Sequence, residues 1–293
     1  MQAVILVLQI VAPVFILAAC GFVWVKVGGE YRVQFVTRLA MRLSMPCLIF
    51  AALARTEVNR ALLAETLMAA FAVHGVLALV MWGVVKAFRL DLRTFLAPLI
   101  FGNTGNLGLP LAFFAFGQTG LDIAIIVFAV STILSFTLGL WIVSGRSSPL
   151  TMVREPMVWG IVLGALFMGM EWAVPDWIFN TLELTGQMAI PLMLLTLGVA
   201  IARLKPAGMV RAVVLSAAKS AICISLAWAV ASAFALPPVA FAILVLQLAT
   251  PVAVTSYLIA ESYGAKSEEV AGLVFTSTLL SVAILPAVIG TFL

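Results

Sequence analysis

Charged residues are scarce in this sequence. Only 10% of its 293 residues are Asp, Glu, Lys or Arg, whereas 64% are hydrophobic. A soluble domain carries roughly a quarter charged residues, most of them at its surface. The shortage therefore excludes soluble globular and disordered proteins. It also excludes a nucleic-acid-binding domain, despite the net charge of +4.

Cysteine, histidine and catalytic motifs are scarce too. Cys20, Cys47 and Cys223 each lie within an apolar run, so we interpret them as buried free thiols rather than disulfides or zinc ligands. His74 is the single histidine, and acidic residues form no ring suited to a cation. No HExxH motif, nucleophile elbow or Walker loop occurs. The sequence predicts no metal site, no cofactor and no enzymatic activity.

Long apolar runs fill the chain instead. A helix that crosses the hydrocarbon core needs about 20 apolar residues, and continuous rather than alternating runs exclude a β-barrel. The first run passes through Cys20 without a preceding basic residue, so we interpret it as a retained helix and not as a signal peptide. We predict an all-α polytopic membrane protein with ten transmembrane helices (spans 1 to 10), at 2–25, 33–54, 62–86, 94–116, 121–144, 156–171, 177–202, 208–235, 238–261 and 268–291.

The connections between these spans differ in charge. The even-numbered ones carry only Arg55 and Arg60. The odd-numbered ones carry twelve basic residues, namely Lys26, Arg32, Arg38, Lys86, Arg89, Arg93, Arg146, Arg154, Arg203, Lys205, Arg211 and Lys266. Cytoplasmic connections are enriched in Lys and Arg. The bias predicts cytoplasmic odd connections, including 145–155, and both termini outside; labelling of a cysteine at Ser147 from outside would contradict this.

The two halves of the chain resemble each other. Three anchors repeat at offsets of 145, 146 and 141 positions, namely the pairs Pro46 and Pro191, Ser135 and Ser281, and Pro110 and Pro251. We predict two five-helix repeats at 1–147 and 148–293, with no soluble domain. An odd number of spans inverts the second copy, and inverted repeats are typical of secondary transporters.

Span 4 contains three glycines, two asparagines and a proline between positions 102 and 110. Gly and Pro weaken helices, and Asn favours caps and turns. A small-residue packing face would explain the glycines alone. The composition favours a broken helix that lines a cavity.

Span 9 carries the matching feature, Thr250-Pro251, flanked by Gln247 and Ser256. A proline alone often produces a simple kink. The equivalent position in the repeat favours a second break, and two breaks that cross at the midplane would present helix N-termini that attract anions. We predict a substrate site there with Asn103 as the main polar contact and Asn106 as a second contact or a helix cap. The other members of the site are Thr104, Pro110, Gln247, Thr250, Pro251 and Ser256.

These motifs resemble those of a known family, the auxin efflux carriers. The resemblance rests on Asn103-x-Gly105-x-x-Gly108-Leu109-Pro110-Leu111, on Thr250-Pro251 followed by Glu261-Ser262-Tyr263-Gly264, and on Ser277-Thr278-x-x-Ser281 with Pro286. It covers nearly the whole chain, but the long hydrophilic loop of plant members is absent. The chain therefore resembles the short bacterial branch, often described as malonate or malate permeases.

The resemblance implies a scaffold domain and a transport domain, with helices 4 and 9 crossing near their prolines. It places Asn103 on the crossover asparagine and Pro251 on the second crossover proline. It further implies organic anions as substrates and a bacterial cytoplasmic (inner) membrane location. Membrane lipids are expected partners, and a homodimer is left open.

Three further ionisable residues lie within predicted spans. His74 and Lys219 are 145 positions apart, so the repeat places them at equivalent depths. Intramembrane ionisable groups are candidates for proton or substrate coupling. Alternatively, the histidine is hydrogen-bonded between helices and the lysine extends to the surface. Arg42 attracts an anion, pairs with Glu183, or extends to the surface.

The sequence thus favours a secondary transporter of mono- or dicarboxylates with an elevator-like alternating-access mechanism. A proton or sodium is the candidate coupling ion. A sodium-coupled solute carrier and a membrane receptor that binds without transporting remain the alternatives.

Overall fold

The computed structural model describes residues 2–145 and 155–292, and within them every extended regular segment is helical. Three π-helical turns interrupt the α-helices, at Ala40–Ser44, Thr104–Gly108 and Ser135–Gly139. The α-helices are α1 (Gln2–Lys26), α2 (Val33–Leu39), α3 (Met45–Ala54), α4 (Arg60–Ala87), α5 (Leu92–Ile100), α6 (Leu109–Leu134), α7 (Leu140–Ser144), α8 (Pro156–Met170), α9 (Asp176–Gln187), α10 (Ala189–Arg203), α11 (Met209–Ala233), α12 (Pro238–Ala249), α13 (Val254–Ser262) and α14 (Ser267–Gly290).

The chain is a polytopic membrane protein, as predicted. Seven helical stretches are long and apolar enough to cross a membrane, and α8 and α12 are shorter apolar helices. Large apolar side chains point outward, for example Leu79 (72% exposed) and Val210 (83% exposed), as expected where the surface faces lipid. Helix ends lie within two residues of the predicted ends wherever a span ends in a loop. The arrangement as ten spans in two inverted repeats remains a prediction.

Contacts between connections separate two sides of the molecule. On one side, Arg203 donates to the Tyr31 carbonyl and Arg93 to the Tyr263 carbonyl, at 2.8 and 3.0 Å. All four residues lie in or beside odd-numbered connections. On the other side, Arg55 pairs with Asp176 at 2.7 Å, and Arg60 pairs with Glu171 at 2.8 Å, between even-numbered connections. Arg146, Ser147 and Arg154 lie outside the described residues.

The helices pack as two groups. In the first group, α1 lies along α10, and α3 lies against α8 and α9. In the second group, α11 packs on α4, α12 and α14, and α6 packs on α4 and α12. The two predicted breaks lie on helices of the second group.

The first helix is part of the packed structure. It continues through Cys20 to Lys26, and its contact with α10 is so close that a Cβ on Gly21 would overlap the Leu195 carbonyl oxygen. All three cysteines are free, as predicted. The prediction that all are buried is wrong, because Cys20 is exposed on the outer face of α1 and Cys47 is only partly buried. Only Cys223 is buried.

Spans 4 and 5 are joined by less chain than predicted. The chain turns sharply within α6 at Gly117, whose φ of 64° and ψ of −155° suit glycine. The two arms then lie side by side, since Arg93 donates to the Val143 carbonyl at 2.9 Å. The expected connection at 117–120 is therefore a bend and not a loop.

Candidate functional site

The two predicted breaks cross and hydrogen-bond to each other. The Asn103 amide donates to the Pro251 carbonyl at 2.7 Å, and the Ala253 amide donates to the Phe101 carbonyl at 3.4 Å. Between them, Gly102 and Val252 pair as an antiparallel bridge. Spans 4 and 9 are therefore broken helices. The alternative of a simple proline kink is wrong. A glycine packing face does not describe span 4 as a whole, although Gly105 and Gly108 do pack closely against Phe128 and Gln247.

Local chemistry explains where each break occurs. Pro251 has no N–H to continue α12, which ends at Ala249. On the facing segment of span 4, a Cβ at Gly102 would overlap the Thr250 hydroxyl oxygen and lie 3.2 Å from its carbonyl oxygen. Only glycine lets the two backbones approach this closely.

Ser277 of α14 supports the crossing from behind. Its hydroxyl oxygen accepts a hydrogen bond of 3.0 Å from the Val252 amide. The serine motif of span 10 served the sequence analysis only as a repeat anchor and a family motif. Its contact with the break was therefore missed.

Asn103 has one free donor at the crossing. Its side-chain oxygen accepts from the Asn106 amide at 3.3 Å and so caps the turn Thr104–Gly108. Its side-chain nitrogen is buried and has no partner among the residues that the structure describes. Asn103, and not Asn106, is therefore the capping residue, and the alternative role suggested for Asn106 is wrong.

Gln247 lies next to the same turn from the other broken helix. It is fully buried, and both of its side-chain amide atoms lack partners. A Cβ on Gly108 would overlap its side-chain oxygen and lie 2.8 Å from its side-chain carbonyl carbon. Thr250 donates its hydroxyl to the Gln247 carbonyl at 2.6 Å. Pro110 starts α6 just beyond the turn and is buried.

A cavity of about 300 Å³ adjoins the crossing. Asn103, Thr104 and Asn106 line it together with Val254 and Thr255, the first residues of α13. Among the described residues, no side chain caps the start of α13, so the N–H groups of Val254 and Thr255 are available to a ligand. Glu155 is the single charged residue among those described in the lining. Further polar residues of the lining were not predicted from the sequence, namely Thr37, Ser131, Thr132, Ser135, Ser262 and Tyr263.

A larger vestibule of about 770 Å³ lies on the side of the odd-numbered connections. Asn106 lines both spaces, and Arg32, Arg38 and Arg203 line the outer part of the vestibule. Tyr31 donates to or accepts from Thr196 at 2.7 Å. Burial raises the pKa of Tyr31, partly offset by this hydrogen bond, so the phenol stays neutral at physiological pH.

Ser256 lies apart from the other predicted site residues. It lines a separate cavity of about 10 Å³ with Arg93 and Thr94. The structure therefore brings together Asn103, Thr104, Asn106, Gln247, Thr250 and Pro251 but not Ser256.

The three candidate coupling residues have different surroundings. His74 is buried beside the first break, with Nδ1 2.8 Å from the Ala70 carbonyl and its ring 6.3 Å from that of Phe101. Lys219 is buried beside the second break. Arg42 is exposed and does not pair with Glu183 within the described chain. Among the residues that the structure describes, no group of three His, Cys, Asp or Glu side chains lies close enough together to bind a metal ion.

A separate cavity of about 580 Å³ lies on the opposite side of the molecule. Arg55, Asp122 and Glu183 are its charged lining residues. Asp122 accepts from Gln118 at 2.8 Å, and Arg55 lies 3.7 Å above the Phe179 ring. Neither Asn103 nor Asn106 lines this cavity, so the crossing adjoins the space on the other side alone.

Two comparisons relate this chain to known proteins. A family model described as "Membrane transport protein" matches residues 6–153 and 143–289. A protein of Methanothermobacter thermautotrophicus, described as an uncharacterized transporter, is 26% identical to this chain over 303 residues. The alignment covers 95% of this chain and 96% of the relative.

Proposed function

This chain belongs to the membrane transport protein family, which includes the auxin efflux carriers, and we propose that it is a secondary transporter of small organic anions. The substrate class is mono- or dicarboxylates, as in the short bacterial branch. We assign the protein to the bacterial cytoplasmic membrane, with the odd-numbered connections inside and both termini outside.

One observation carries this proposal, the unpaired side-chain nitrogen of Asn103 beside a cavity. A buried donor without a partner costs about 1–3 kcal/mol, so a ligand that accepts from it gains that energy back. The free N–H groups at the start of α13 face the same cavity and favour negative charge. Both features select a carboxylate.

The donors at this site are uncharged. A lysine or arginine in the lining would attract an anion more strongly but would also slow its release. Here Arg38 and Arg203 at the vestibule provide long-range attraction, since Glu30 in the same lining pairs with Arg32 at 2.8 Å, while amides and hydroxyls provide the contacts. This division suits a carrier that must release its substrate in each cycle.

Movement between the two helix groups provides alternating access. The crossing belongs to the second group. Thr37 and Met41, which line the same cavity, lie in α2 and in the π-helical turn Ala40–Ser44, and these two elements pack against α10 and α3 of the first group. Sliding the second group across the first would carry the crossing toward the opposite cavity. This is the elevator-like mechanism.

Uptake into liposomes that contain the purified protein tests the proposal. Radiolabelled mono- and dicarboxylates are offered, with protein-free liposomes as the control and with sodium replaced by choline in parallel. Saturable uptake of at least one carboxylate supports the proposal. Carboxylate binding without uptake would identify a receptor, and neither binding nor uptake would contradict the substrate class.

A further inference from the structure

Lys219 is buried in α11 with 1% of its surface exposed. Its side chain does not extend to the membrane surface. Its ammonium instead donates to the Thr250 carbonyl oxygen at 3.0 Å. Thr250 is the C-cap of α12, so the ammonium lies at the end of the broken helix.

This helix end attracts positive charge for two reasons. The C-terminus of a helix carries a partial negative charge and several carbonyl oxygens without partners. The break removes the next turn, which would otherwise supply the amide partner of the Thr250 carbonyl. Lys219 therefore satisfies an oxygen that the break exposes.

Within residues 2–145 and 155–292, no carboxylate pairs with Lys219. Its titratable neighbours are His74 and Cys223. An imidazole is neutral or positive and a thiol is neutral, so neither group supplies a negative charge. The helix end is thus the main counter-charge of this ammonium. A buried charge is tolerated only when such a partner compensates its lost hydration.

In other transporters with broken helices, unwound carbonyls and half-helix C-termini coordinate a coupling sodium ion or proton. We propose that Lys219 is a tethered cation that occupies this position permanently, so that the protein neither binds nor requires sodium at the crossing. The consequence for transport rests on the proposed function. The cation site itself does not.

Thermal melting of the purified protein tests the cation site without any substrate. Wild type, Lys219→Ala, Lys219→Met and the exposed-site control Lys205→Ala are melted in sodium chloride and in choline chloride at equal ionic strength. Lys219→Ala is melted again with n-propylammonium, which replaces the part of the side chain that alanine lacks.

Wild type and Lys205→Ala are expected to melt at the same temperature in both salts. In choline chloride, both Lys219 variants should melt at a lower temperature than wild type, by about 4 °C or more. The alanine variant should recover at least half of this loss with n-propylammonium or sodium, because its cavity admits a cation. The methionine variant should not recover, because its side chain fills the space.

Two results would overturn the proposal: stabilisation of wild type by sodium over choline, or wild-type melting of Lys219→Met in choline. If the alanine variant does not fold, these two comparisons still decide. In liposomes, wild-type uptake should be equal in sodium and choline. A complete lack of uptake would contradict the proposed function but would leave the melting results valid.

Discussion

Gly102→Ala should separate the two broken helices. The added Cβ would overlap the Thr250 hydroxyl oxygen and lie 3.2 Å from its carbonyl oxygen, so the hydroxyl must turn away and the two backbones must move apart by a few tenths of an ångström. This movement would lengthen or break the two hydrogen bonds of the crossing, which measure 2.7 and 3.4 Å.

The size of the effect follows from those two bonds. A buried group left unpaired costs about 1–3 kcal/mol, so losing the partner of one group in each of the two bonds should cost about 2–6 kcal/mol of stability. At roughly 2–4 °C per kcal/mol, the melting temperature should fall by about 4 °C or more. Transport should fall as well, because Asn103 moves with the displaced backbone.

The assay is thermal melting together with uptake into liposomes, at matched protein content. Gly75→Ala is the matched control, because a Cβ at Gly75 meets nothing within 4 Å. It should melt at or above the wild-type temperature, since alanine favours a helix. Thr250→Ala removes the overlapped oxygen, so combining it with Gly102→Ala should recover part of the loss. Wild-type melting and uptake for Gly102→Ala would refute the crossing as described.

Three further experiments test separate parts of the account. Pro251→Ala restores an N–H that can continue α12, so uptake should fall although no side-chain contact with the substrate is lost; unchanged uptake would contradict this. His74→Gln can still donate to the Ala70 carbonyl but cannot take up a proton, so uptake should lose the part of its pH dependence that this histidine supplies; full activity with an unchanged pH profile would remove His74 from coupling. In a cysteine-free background, an impermeant reagent added outside should label Ala173→Cys and not Lys205→Cys, and the reverse pattern would invert the topology.

The sequence predicted the helices and both breaks because each has a local cause. Apolar runs set the helix limits, and the glycines, asparagines and prolines near Asn103 and Pro251 cannot continue a regular helix. The connection between spans 4 and 5 was predicted as a loop of four residues, whereas a single glycine with positive φ, Gly117, makes the turn.

Contacts between distant segments were not predictable from those patterns. The spacing of Lys219 predicted its depth in the membrane but not where its side chain points. Its partner, the Thr250 carbonyl, is a backbone group, and every residue has one. Ser256 follows the break by only a few residues, yet one turn of α13 directs it into a different cavity. Ser277 contacts the break only through the packing of α14.

The most direct test of the central claim measures substrate binding and uptake for Asn103→Ala at matched expression. A hydrogen bond to a charged group contributes about 1.5–3 kcal/mol, so binding should weaken roughly ten- to a hundredfold and most uptake should be lost. Asn103→Asp keeps the oxygen that caps the turn but replaces the donor, so it should fold and also lose uptake. Wild-type binding and uptake for Asn103→Ala would contradict the account and place the site elsewhere.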